Sequence, residues 1–116
     1  MPMTVERNCF AGLEGLYDQL KARKLWPLTS VHEKALQREA PHWHPYNNHV
    51  FVIEGTASFF DEDSGTRFDL NGGDLCIVPQ KTLHAASSDG PMVLMVCFDQ
   101  PTPMSKIQAN GAEVAR

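Results

Sequence analysis

The stretch His42-Trp43-His44-Pro45-Tyr46-Asn47-Asn48-His49 decides how this chain is read. In an extended strand, successive side chains alternate faces, so His42 and His44 share one face and Trp43 takes the other. Two imidazoles about 7 Å apart along a strand can converge on one ion. The third ligand has to come from elsewhere, and His84, at the start of a later apolar stretch, is the candidate. Histidine nitrogen suits Fe, Zn, Ni, Cu and Mn, so the ligand set alone does not name the metal.

Outward from that stretch, the chain reads as short strands separated by turn signals. Strands are expected over residues 31–38, 49–53, 56–60, 67–70, 75–78, 84–87 and 92–98. Glu54-Gly55, the loop over 61–66 with Gly65, Asn71-Gly72-Gly73 and Pro79 punctuate them. Short strands at regular spacing predict an all-β sandwich or barrel. Leu13, Leu16, Tyr17 and Leu20 recur at helical spacing and predict one N-terminal helix over 10–25, lying outside the domain or against a second subunit. The expected organisation is a single domain over 1–116, with a β-barrel at 28–100 and a loosely held tail at 101–116.

The bulk properties narrow the function classes. A chain of 116 residues suits one domain, and its 42% apolar and 21% charged residues are ordinary for a globular protein. A formal charge of −4 argues against nucleic acid or anionic membrane as partners, because both require clustered Lys and Arg. The one basic cluster, Lys21-Ala22-Arg23-Lys24, belongs at a helix C-terminus, where it complements the dipole. No apolar run approaches the ~18 residues of a membrane span, and no secretory signal is visible. Cys9, Cys76 and Cys97 form no CxxC pair and read as reduced thiols, Cys76 and Cys97 in the core, so the expected location is cytoplasmic.

The chain from His42 to His84 resembles the cupin superfamily. His42-x-His44 followed by Val50-Phe51-Val52-Ile53-Glu54-Gly55 resembles the first cupin motif, G(x)5HxH(x)3-4E(x)6G, from its first histidine onward. Gly73-Asp74-Leu75-Cys76-Ile77-Val78-Pro79 and then His84 resembles the second, G(x)5PxG(x)2H(x)3N. The resemblance implies a jelly-roll β-barrel, His42, His44 and His84 facing its interior around one divalent metal, and a homodimer. Three departures stand out. Asn48 occupies the acidic-ligand position counted back from Gly55, Lys81 replaces the glycine before the third histidine, and Ser88 replaces the terminal Asn. The motif's variable spacing also admits His49 as a further ligand. Alternation puts Asn48 and His49 on opposite faces, so only one reaches the ion.

Without a carboxylate, three neutral histidines leave a divalent ion at a net +2 and favour an anionic ligand on the metal. The three-His pattern resembles that of cupin dioxygenases acting on β-diketones, aromatic acids or thiols. A weaker likeness, Leu16-Tyr17-Asp18-Gln19-Leu20 with Leu25-Trp26-Pro27-Leu28, is to gentisate-type dioxygenases. The expected function is therefore a mononuclear Fe(II) dioxygenase for a small anionic substrate, with Arg38 and Arg67 as candidates to pair with a substrate carboxylate. The alternatives are a non-catalytic small-molecule-binding cupin, or a non-redox isomerase or lyase using Zn, Ni or Mn. The last needs an acid or base, for which Tyr46, His49 and His32 are the candidates.

Overall fold

The computed structural model describes residues 2–100, so the expectation for the tail at 101–116 lies outside the described residues. The elements run β1 (Thr4–Glu6), α1 (Gly12–Arg23), β2 (Trp26–Glu33), β3 (Asn48–Asp61), β4 (Thr66–Asn71), β5 (Leu75–Val78), β6 (His84–Ser87) and β7 (Met92–Phe98). All the strand pairs are antiparallel. The main path is β1-β5-β3-β7-β2, with β4 and β6 flanking the far half of β3. Among the described residues β1 and β2 are free ends of this path, so the fold is mostly β-sheet as expected but the sheet does not close into the expected jelly-roll barrel.

β3 is the spine. Its first half pairs with β5 and β7, its second with β4 and β6. The two strands expected on either side of Glu54-Gly55 are thus one strand, Asn48–Asp61. A bulge between Val52 and Glu54 makes this workable. Before it the even-numbered Val50 and Val52 face the main core; after it the odd-numbered Ala57 and Phe59 do. One extra residue reverses the alternation, which is how a bulge re-aims a strand. Gly55 turns the chain there with φ +80°, and a Cβ at that position would lie 2.0 Å from the Pro91 carbonyl oxygen.

β5 and β7 read as unbroken apolar runs because both faces are covered. Cys76, Val78 and Leu94 face the main core, while Leu75, Cys97 and Ile77 meet Leu16 and Leu20 of α1 and Leu25 just after it. Burial raises the thiols of Cys76 and Cys97 to about 12, which keeps them protonated packing groups. The helix is shorter than the expected 10–25. It ends at Lys24, whose φ of 55° is left-handed, and Leu25 N–H donates to the Leu20 carbonyl at 2.9 Å. Arg23 in its last turn forms a two-pronged ion pair with Glu6, at 2.9 and 2.6 Å, tying the helix to β1. β1 has no counterpart in the sequence expectations: three residues are too few to show a period.

The Asn71-Gly72-Gly73 turn is locked by Asp74, whose buried carboxylate accepts from the backbone of Asn8 and Asn71 and from Arg7 at 2.9–3.0 Å. Burial raises its pKa, but these donors outweigh that and hold it below the usual carboxylate range.

Candidate metal centre

Between β2 and β3 the chain runs alongside β6 without forming a regular strand. Two isolated bridges hold it, Leu36 to Ser88 and His42 to His84. The His42 and His84 backbones exchange hydrogen bonds at 2.9 and 2.8 Å, so backbone pairing sets these two candidate ligands opposite each other. His44 is outside any strand, flanked by Pro45, which has no N–H to give a ladder. The expected HxH pair on one face of a regular strand is thus corrected: one histidine sits on a bridge and the other on an irregular segment. The rings still converge, with centroids 5.1 Å apart for His42 and His44, 4.4 Å for His42 and His84, and 5.3 Å for His44 and His84. One ligand nitrogen from each lies within 4.8 Å of the others.

Lys81, where the motif has glycine, adopts φ +61°, and its amide donates to the His44 carbonyl at 2.7 Å. The backbone keeps the turn that glycine would favour, with a lysine in a strained conformation. That one bond ties the His44 segment to the loop leading into His84.

Hydrogen bonds orient two of the imidazoles. His42 Nδ1–H donates to the Ala40 carbonyl at 3.0 Å and His84 Nδ1–H to the Thr82 carbonyl at 2.8 Å, which leaves each Nε2 lone pair for a metal. Burial, with the neighbouring histidines adding to it, lowers the His44 pKa to about 3. Burial lowers His84 to about 4, against the raising effect of the Thr82 carbonyl. Both rings are neutral near pH 7, the form that binds a metal. In metal-free protein the unfolded chain, with histidines near 6.5, takes up protons that the folded site refuses. Stability therefore rises with pH, and is lost as pH falls from about 6.5 toward 4. Between pH 7 and pH 5 the expected loss is on the order of 2 kcal/mol or more. Thermal midpoints of metal-free protein at the two pH values check this; unchanged midpoints would contradict neutral buried imidazoles.

The three histidines open onto a cavity of about 330 Å³ with apolar walls, among them Leu36, Val50, Phe59 and Leu94. Asn48 lines it, is 4% exposed, and its Oδ1 has no hydrogen-bond partner. His49 is on the opposite face of β3, where burial and then the Arg23 charge lower its pKa. Tyr46 stacks on Phe98 at 5.4 Å, one ring removed from His44, and is not part of the lining. His32 borders a separate, larger hollow of about 530 Å³ on the far side of Glu33.

Neither arginine reaches the cavity. Arg38 forms an ion pair with Glu62 and lies 3.9 Å over the Phe60 ring. Arg67 pairs with Asp69 at 2.8 Å. Phe60 follows the cavity-lining Phe59 along β3 and so faces away from it, which carries both guanidiniums to the outer surface. Two cavity residues had no sequence signal, Glu33 and Glu39. No motif covers them, and residues 31–38 read as a strand instead.

Residues 30–98 match the family described as the cupin domain. The chain belongs to the cupin family. No curated protein is significantly similar to this cupin. Among solved structures it resembles a DUF861-family protein of Thermotoga maritima, with TM-score 0.55, 17% identity, and 81% of this chain and 96% of the other covered. It also resembles protein NMB1881 of Neisseria meningitidis, with TM-score 0.53, 20% identity and coverage of 72% and 94%. A third likeness is to the Bacillus subtilis oxalate decarboxylase, which has Mn(II) centres, with TM-score 0.50, 26% identity, and 66% of this chain but 22% of that one covered. The first two likenesses speak for the fold alone. The residues of this cupin fit a divalent ion on their own evidence: three imidazole nitrogens converge, and His44 Nδ1 and Asn48 Oδ1 are buried without partners. Buried polar atoms left unpaired in a protein-only structure are what a bound ion or its ligands would satisfy.

Proposed function

We propose that this cupin is a mononuclear metal-dependent dioxygenase that acts on a small substrate bound to the metal through an anionic oxygen or sulfur. The observation that carries the reading is the convergence of three imidazoles on one cavity, with Asn48 in place of a carboxylate. Fe(II) held by His42, His44 and His84 would supply Lewis acidity and an oxygen-activating centre. The chain's own contribution is to hold His44 and His84 unprotonated by burial and to place Asn48, not a carboxylate, beside the three rings. A volume of about 330 Å³ suits a compact diketone, aromatic acid or thiol.

The non-redox reading, with Zn, Ni or Mn, requires a group that moves a proton. Tyr46, His49 and His32 are all outside the cavity lining, so the groups that could move a proton in such a reaction are Glu33 and Glu39, which line it. The exposed apolar side chains of Leu13, Tyr17 and Trp26 support the homodimer that the family resemblance implies.

Oxygen uptake by anaerobically Fe(II)-loaded protein, measured across β-diketones, hydroxybenzoates and thiols, tests the proposal. We expect uptake with one class and none with the zinc-loaded protein. Full iron occupancy with no uptake on any class would leave a binding protein or a non-redox enzyme.

A further inference from the structure

Opposite β6 the chain carries two residues too many. Leu36 to His42 is a span of six positions, and the facing span from Ser88 to His84 is four. Glu39 closes the gap. Its amide donates to the Ala86 carbonyl at 3.0 Å, and its own carboxylate Oε1 accepts the Ala86 N–H at 2.9 Å, where a ladder would use a backbone carbonyl. A side chain thus stands in for the backbone and is held in one place. The second oxygen, Oε2, has no donor among the described residues, and Glu39 lines the cavity. His84 and Ala86 are one two-residue step apart on the same face of β6, so the carboxylate is fixed roughly 7 Å along the strand from a metal ligand. Glu33 adds a second carboxylate to the lining, and no lysine or arginine is among the lining residues.

We propose that Glu39 is a specificity-determining residue: it accepts a hydrogen bond from an ammonium or hydroxyl group at the far end of a substrate whose near end is bound at the three histidines. The substrate class is then bifunctional, with a metal-binding anionic group and a hydrogen-bond donor a few bonds away. A second anionic group at the far end is disfavoured, because it would meet Glu39 and Glu33 instead of an arginine. The proposal rests on the reading of the histidines as a metal site and deepens it.

Zinc-loaded protein and two probes that differ in one group, propionate and β-alanine, test it by calorimetric titration. Wild-type protein is expected to bind β-alanine about tenfold more tightly than propionate, since the ammonium gains a charge-assisted hydrogen bond. Glu39→Gln retains an oxygen for the Ala86 N–H and turns the outward atom from an acceptor into a donor. It is expected to abolish the preference while keeping the zinc content and the thermal midpoint. Equal binding of the two probes by the wild type overturns the proposal without needing any variant. A Glu39→Gln protein that keeps the preference, or that loses its zinc, overturns it too, and assigns Glu39 to scaffold or ligand. Zinc content is measured first. A wild type that takes up no zinc defeats the metal reading and this proposal with it, whereas a fully loaded protein without preference defeats this proposal alone.

Discussion

His84→Ala is expected to lower the affinity for a divalent ion more than a hundredfold, and to leave purified protein essentially metal-free. The side chain is 4% exposed, its Nδ1–H is tied to the Thr82 carbonyl, and its backbone pairs with that of His42. Losing an outer-shell partner of a metal ligand already weakens binding about 10- to 100-fold, so losing a ligand itself exceeds that range. The backbone bonds to His42 do not involve the ring, so the metal-free variant should keep the fold and its circular dichroism. What disappears is stabilisation by metal. An ion at a thousand times its dissociation constant adds about 4 kcal/mol to the stability of the wild type, and in the variant it should add almost nothing. Metal analysis together with thermal unfolding, with and without added zinc, checks both parts. A variant that still carries one ion per chain would remove His84 from the ligand set.

Phe51→Ala is expected to act in the opposite sense, on stability and not on the site. Phe51 is fully buried on the face of β3 that meets α1, with Phe10 edge-to-face at 5.7 Å and Leu16, Leu25, Leu75 and Cys97 around it. Truncating a buried phenylalanine costs about 3–5 kcal/mol, partly in lost transfer energy and partly as a cavity. In a domain of this size that is a large share of a total of about 5–15 kcal/mol. The thermal midpoint should fall by more than about 10 °C. Its neighbours Val50 and Val52 face the other way, toward the core that includes the cavity walls, so zinc stoichiometry well below the midpoint should be unchanged. A drop of only a degree or two would mean that α1 is not a required cover for the sheet. The two variants together separate the packing of the sheet's outer face from the chemistry of its inner one.

Much of the strand pattern was legible because local physics decides it. Residues 75–78, 84–87 and 92–98 are strands at the expected bounds, each flanked by a proline or a turn that ends it. The helix was legible from its spacing, though not its ends, which depend on a left-handed lysine and an ion pair to β1. The strand break expected at Glu54-Gly55 failed for a definite reason. A glycine after an apolar run looks like a turn, whereas here it bends a continuous strand, and only the Pro91 carbonyl packed against it reveals that.

His42, His44 and His84 were legible in the sequence alone, because His-x-His and a later His-bearing motif are spacings along one chain. Their convergence within 4.8 Å is a different matter. It depends on a bridge between His42 and His84 and on the Lys81–His44 bond, neither of which is a local pattern. The choice of which face Asn48 and His49 take was likewise made by the pairing of β3 with β5 and β7. Arg38, Arg67 and Glu39 show the same limit. A charged residue next to a strand carries no label for the face it will take; tertiary packing sent the arginines outward and brought one glutamate in, to a ladder position that a backbone carbonyl would otherwise fill. Residue type and spacing determined what could bind a metal, and the register between distant segments decided what surrounds it.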